Sequence, residues 1–175
     1  MLKFPPYKHP KIGQHIAIIK RRGEHVKQFL LYDRTKNDIV GQMYCIELNK
    51  SQFNNDFIYR VNYLFSYVHN QGIGRILVNL AKKDSLRGQA NGQVKLIATD
   101  EYDKQNPPYL FYKRMGFKAV DESINSYLDK CLKNKSTTNP NIINGCYEMV
   151  YNPPRKITQA TKYIKEHFPQ LLDYI

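Results

Sequence analysis

Between residues 61 and 78 the chain reads VNYLFSYVHNQGIGRILV, an apolar run that meets a glycine-bearing turn and then starts a helical pattern. Aromatic and β-branched residues over 61–68 have the composition of a half-buried or buried strand. The chain must then turn sharply. Gly72 and Gly74 are the expected means, since glycine tolerates positive φ and leaves no Cβ between the backbone and a ligand. Beyond them Ile73, Ile76, Leu77, Leu80 and Ala81 recur at helical spacing. The turn's N–H groups therefore fall in the first turn of a helix, where they lack intrahelical partners and lie at the positive end of the dipole. The expectation is a strand, an anion-binding turn and a helix.

Around this stretch the pattern predicts one mixed α/β domain spanning residues 1–175. Prolines at 5, 6 and 10 mark residues 1–12 as an irregular surface arm. Strands are expected over 14–21, 26–33 and 39–48, an antiparallel meander with a hairpin turn at 35–38. Residues 51–56 form a polar connection to the central strand. The helix after the turn should end at Gly88, and Asn91-Gly92 should turn into a strand over 94–99. A short helix begins near Asn106, followed by a strand over 118–120. Residues 121–144 are an insertion before the last strand, 145–151. Its first half, 122–133, carries Ile124, Tyr127, Leu128 and Leu132 at helical spacing, and 134–144 is polar and loop-like. A terminal helix over 154–168 sets Ile157, Ala160, Thr161, Ile164 and Phe168 on one face, which is expected to pack on the core.

No apolar run approaches the roughly 20 residues of a membrane span, and MLKFPPYKHPK lacks a signal-peptide core. Cys45, Cys131 and Cys146 are odd in number and show no Cys-x-x-Cys spacing, which argues against a disulfide framework and a zinc site. A reducing cytoplasm, no membrane and no metal are the expectations, with the chain a monomer or homodimer. The formal charge of +12 calls for an acidic partner. Because the basic residues are scattered through nearly every segment, nucleic acid is a possible partner but not the favoured one.

Two segments together point to a family. The His69-x-x-Gly72-x-Gly74 turn and the later Tyr112-x-x-x-Gly116-Phe117 helix end resemble, in order and separation, the two signatures of the GCN5-related N-acetyltransferase superfamily. The resemblance covers residues 57–120. It implies a mostly antiparallel sheet of about seven strands with a splayed central pair and flanking helices, and acetyl-CoA as co-substrate, whose phosphates would account for part of the charge excess. It assigns the pantetheine arm to the backbone of Phe65, Ser66, Tyr67 and Val68. The diphosphate falls to His69, Asn70, Gln71, Gly72, Ile73, Gly74 and Arg75, with Asn106 and Tyr109 also at the cofactor. Tyr112 is the implied catalytic acid, its hydroxyl aimed at the thioester sulfur. The chain departs from the pattern at His69, where the family has Arg or Gln, and at Gln105 and Pro108, where it often has Asn and Ala. The family also commonly places two acceptor-shaping helices between its first two strands. Only about five residues separate those strands here, so that side of the site should be open or closed by another segment.

Transfer of an acetyl group to an amine needs a held thioester, an unprotonated nucleophile, an oxyanion donor and a proton for the thiolate. A backbone N–H near Tyr67 or Val68 is the expected oxyanion donor. No carboxylate stands on the central strand to act as base. Glu47, Asp56, Asp100 and Glu101 are the candidates that could act through water. Ser66 and Cys146 have no nearby His in sequence to activate them as nucleophiles. The leading function is N-acetylation of a primary amine of a small molecule or peptide. The alternatives are an RNA-directed, toxin-type enzyme acting on aminoacyl-tRNA and a non-catalytic CoA-binding relative.

Overall fold

The computed structural model describes residues 2–3, 16–23, 26–49 and 57–174. The rest of the expected arm and the connection 51–56, with the candidate base Asp56, lie outside the described residues. In chain order the elements are β1 (Leu2–Lys3), β2 (Ile16–Arg22), β3 (Val26–Asp33), β4 (Asp38–Asn49), β5 (Phe57–Ser66), α1 (Ile73–Arg87), β6 (Val94–Thr99), α2 (Tyr109–Arg114), β7 (Lys118–Ala119), α3 (Glu122–Lys133), β8 (Cys146–Tyr151), α4 (Arg155–His167) and a 3-10 turn (Pro169–Tyr174). They build one sheet in the order β1-β2-β3-β4-β5-β6-β8-β7. The eighth strand, beyond the seven expected, is β1, whose residues pair with Lys20 and Ile19 where an irregular arm was expected.

Every pairing is antiparallel except β5 with β6. α1 supplies the long crossover that a parallel pair requires. β2 and β3 form a direct hairpin that closes on the Arg22↔Lys27 pair, which leaves no room between them for the family's acceptor helices. The core forms where α1 lies on the sheet. Ile73, Ile76, Leu77 and Ala81 are buried against Phe29, Leu31, Met43, Cys45 and Val61.

α1 ends at Gly88 as expected, but for another reason. Gly88 is extended (φ −78°, ψ −163°), and a Cβ there would stand 2.3 Å from Glu47 Oε1. Asn91 (φ 52°) and Gly92 (φ 86°) make the foreseen turn with positive φ at both positions. The insertion is an ordered helix and return. Asp121 Oδ1 accepts from Ser123 N and Ile124 N to cap α3, and Leu128 and Cys131 are buried. α4 buries only Thr161 and leaves Ile157 and Phe168 43% and 42% exposed. Thr161 belongs to the face anticipated, and Lys165, one turn on, donates to the Gly88 carbonyl and to Asn91 Oδ1 (3.4 Å). No helix among the described residues is long and apolar enough to cross a membrane.

Candidate active site

β5 and β6 are held together at only two register positions, Arg60↔Lys95 and Val61↔Leu96. Beyond them β5 continues to Ser66 paired with β4 alone, while β6 continues to Thr99 paired with β8 alone. The strands part at a bulge, where Tyr44↔Tyr63 is followed by Cys45↔Val61 and Asn62 is the extra residue. A bulge bends its strand and sharpens its twist. The facing edges, residues 63–66 and 97–99, thus carry backbone groups not paired across the gap. Ile97 on the β6 side is 47% exposed.

The gap opens toward the start of α1. Asn70 (φ 58°) and Gly72 (φ 77°) carry the turn in the left-handed region. This corrects the expectation for Gly74, which lies inside α1. There it serves packing: a Cβ at 74 would meet Phe111 Cζ at 3.2 Å, so α2 rests on the first turn of α1. Gly72 caps α1 without any side-chain hydrogen bond, and its carbonyl already accepts from Ile76 N at 3.1 Å. The N–H groups of Ile73, Gly74 and Arg75 accordingly have no intrahelical partners and point out of the helix start, a cradle for an anionic diphosphate. Gly41 fixes where that cradle stands. A Cβ on it would lie 2.4 Å from Ile73 Cγ2, so its absence lets α1 begin directly on β4. An isolated glycine within a strand pattern was the available signal of close approach, and it went unread.

The remaining assigned residues divide. Phe65 and Ser66 lie on the splayed half of β5, with Ser66 Oγ donating to the Val68 carbonyl (2.7 Å) and so not poised as a nucleophile. Tyr67 N donates to the Val40 carbonyl at 3.0 Å, which removes it as oxyanion donor. The Val68 N–H has no partner among the described residues. His69, Asn70, Gln71 and Arg75 are exposed around the turn. Asn106 is exposed and held in a side-chain turn by Asp103, which accepts from Gln105 N (3.1 Å) and Asn106 N (2.9 Å). The Asn106 bonds hold the Asp103 carboxyl below its usual range. Tyr109 is fully buried, and its hydroxyl donates to the Gly145 carbonyl at 2.7 Å. It tethers α2 to β8 and leaves its assigned cofactor role without a free polar group.

Tyr112 is buried between Phe111 and Phe117, with ring centroids at 5.1 and 5.8 Å. Gly116 (φ 86°) ends α2 in the left-handed conformation, and Phe117 N returns to the Tyr112 carbonyl at 3.1 Å. The ring is locked from both sides of that turn. Its hydroxyl has no hydrogen-bond partner among the described residues, and burial pushes its pKa up to about 12.

Two of the described candidate bases, Glu47 and Asp100, are engaged elsewhere. Glu47 lies at the far end of α1, accepting from Gln89 N (2.8 Å) and Ala90 N (3.1 Å) and paired with Lys27 (2.9 Å). At about 1.5 Å per residue, the 15 residues of α1 put it about 22 Å from Gly72. Asp100 Oδ1 accepts from Gly145 N at 3.1 Å, and Glu101 is exposed. On the sheet face opposite α1, rings climb from Tyr44 through Tyr63 and Phe65 to Tyr67, with centroids 6.1, 5.9 and 5.1 Å apart. Gln28 and Gln42 donate to the hydroxyls of Tyr44 and Tyr67, pinning both ends. This face borders the splayed half of β5.

No family model matches the chain, and no curated protein matches it. Solved structures give likenesses of fold. The Arabidopsis thaliana Naa50 structure, a complex with a CoA-Ac-MVNAL bisubstrate analogue, is 20% identical over 72% of each chain, at a TM-score of 0.47. Escherichia coli ElaA is 13% identical over 75% of this chain and 70% of its own (TM-score 0.46). A histone acetyltransferase HPA2-related protein of Corynebacterium glutamicum is 13% identical over 75% and 66% (TM-score 0.45). Likenesses at these scores carry no weight for activity or acceptor. On its own sheet order, its single parallel pair parting at a bulge and its uncapped helix start, the chain has the fold of the GCN5-related N-acetyltransferases.

Proposed function

We propose that the chain is an acetyl-CoA-dependent N-acetyltransferase that moves an acetyl group onto a primary amine of a small molecule or peptide. The observation that carries this reading is the parting of β5 and β6 directly before the uncapped start of α1. When bound, acetyl-CoA supplies an activated acyl group as a thioester. The N–H groups of Ile73, Gly74 and Arg75 take its diphosphate, and the β5 edge over 63–66 pairs with the amides of its arm as an added strand would.

The amine nitrogen attacks the thioester carbonyl, and Val68 N–H stabilises the oxyanion that forms. As the C–S bond breaks, the proton of the Tyr112 hydroxyl goes to sulfur. A hydroxyl held near pKa 12 stays protonated at working pH. Its proton moves only as charge builds on the leaving sulfur. The acceptor enters as the free amine; attack leaves its nitrogen cationic, it gives one proton to water, and water returns one proton to the Tyr112 phenolate. Three unpaired cysteines suit a reducing compartment.

Thermal shift with acetyl-CoA, followed by thiol release across a panel of amines, tests the reading. A raised melting temperature and release with at least one amine class are expected. No shift with either CoA or acetyl-CoA overturns it, while a shift without turnover on any amine leaves a CoA-binding relative in its place.

A further inference from the structure

A cavity of about 780 Å³ opens at the end of α1 remote from Gly72, lined by cations from four elements: Arg22 of β2, Lys27 of β3, Arg87 of α1 and Lys165 of α4. Among the described residues two carboxylates share the lining, and both are engaged. Glu47 accepts from Gln89 N and Ala90 N and pairs with Lys27. Asp84 pairs with Lys20 and Lys27 and accepts from the Tyr59 hydroxyl at 3.0 Å. Lys165, by contrast, donates to two neutral oxygens, the Gly88 carbonyl and the Asn91 amide, with Glu47 acting on it only through space. Arg22 is exposed and forms no ion pair among the described residues. The field of this group is felt in the wall behind it. Burial first, then Arg22, Lys27 and Arg87, push the Lys20 ammonium down to about 7.

A concave, net-positive surface with protein walls concentrates field lines and selects multivalent anions. Arg22 of β2 brings a planar fork suited to phosphate oxygens, and Lys165 of α4 brings a point charge. Phe57 and Leu172 add apolar lining for the uncharged part of a ligand. The volume lies within the range of small-molecule sites, about 300 to 1,000 Å³. We propose that this cavity is a second ligand site, taking a small phosphate-bearing organic anion of nucleotide size. It is separate from the turn at Gly72 and does not rest on the catalytic reading.

Calorimetric titration of the full chain with ADP and with inorganic pyrophosphate, each with and without saturating CoA, tests this. Both probes are expected to bind, and CoA is expected to leave their affinity unchanged. Arg22→Gln, which breaks no ion pair among the described residues, should weaken both by about tenfold or more, the loss of a charge-assisted hydrogen bond. Lys165→Gln serves as the second variant, with melting temperature reporting whether α4 stays docked. No heat from either probe at millimolar concentration overturns the proposal. So does displacement by CoA, or affinity unchanged in both variants. Pyrophosphate binding without ADP overturns the nucleotide-sized ligand. If CoA itself fails to bind, the catalytic reading falls alone, and the Arg22 dependence still decides this site.

Discussion

Gly74 packs against the ring of Phe111 so closely that a Cβ at 74 would stand 3.2 Å from Phe111 Cζ. Phe111 immediately precedes Tyr112 on α2, so this contact couples the helix start that would hold a diphosphate to the placement of the acid. Gly74→Val is expected to push the ring aside and crowd the first-turn N–H groups together. At 100 times its dissociation constant a ligand adds about 2.7 kcal/mol of apparent stability, and the variant should lose that CoA-dependent shift. Melting curves with and without CoA check it; a valine variant with an undiminished shift contradicts the coupling.

Tyr112→Phe keeps the ring between Phe111 and Phe117 and removes a hydroxyl without a partner among the described residues. Stability and CoA affinity should therefore change little. Turnover should fall by about 10² to 10⁴, the usual contribution of a positioned acid. The pH sign follows from the upward shift to about 12. The acid form persists below that value, so Tyr112 should produce no alkaline loss of kcat up to about pH 11. Normal turnover in the phenylalanine variant would assign Tyr112 to packing alone.

Much of this arrangement was legible because it is local. The apolar run, the glycine turn and the helical period between residues 61 and 78 gave strand, turn and helix in the right order, and the spacing over 122–133 matched α3 end to end. What local pattern cannot carry is pairing across distance. Glu47 reads as a candidate base acting through water, yet its carboxylate accepts from Gln89 and Ala90, 42 and 43 residues away. The resemblance assigns Tyr109 to the cofactor, while its hydroxyl reaches Gly145, 36 positions on. The splay depends on Asn62 being extra in one ladder, a matter of register that no residue type announces.

Asp84→Asn should be among the most damaging single changes. It removes the carboxylate that Lys20, itself only 5% exposed, pairs with and weakens the Tyr59 hydrogen bond. Breaking a buried pair from one side costs about 3–5 kcal/mol. Lys20→Met should cost less, because Lys27 still meets Asp84 at 3.0 Å. Denaturant midpoints of the two variants should fall in that order, and the reverse order would refute the assignment of Asp84 as the shared anion.

The Asp121 cap yields a stability effect with a defined pH window. Hydrogen bonds from Ser123 and Ile124 lower the folded carboxyl's pKa below its ordinary value. Its stabilisation is therefore present above the unfolded carboxylate pKa of about 3.9 and is lost as pH falls through the folded value. Asp121→Ala should lower the melting temperature at neutral pH, and the gap to the parent should narrow progressively in acid. A gap that stays constant down to about pH 2 would show that the carboxylate charge plays no part in the cap.

The choice between a small amine and an RNA acceptor turns on where the positive charge lies. The described cations that converge on one cavity, Arg22, Lys27, Arg87 and Lys165, do so at the end of α1 remote from Gly72, not at the open face beside the splay. That face offers instead the aromatic row Tyr44, Tyr63, Phe65 and Tyr67. An RNA acceptor engaged through six or more phosphates would lose about 10³ or more in affinity between roughly 50 and 200 mM salt, whereas a small amine would show no such slope. Acceptor KM should therefore be nearly independent of salt, and Tyr44→Ala should raise it without changing the CoA-dependent thermal shift. Gel-shift titration against bulk tRNA at two salt concentrations is the complementary measurement. Micromolar, steeply salt-dependent binding, together with acetylation of charged but not uncharged tRNA, would replace the small-amine acceptor with aminoacyl-tRNA.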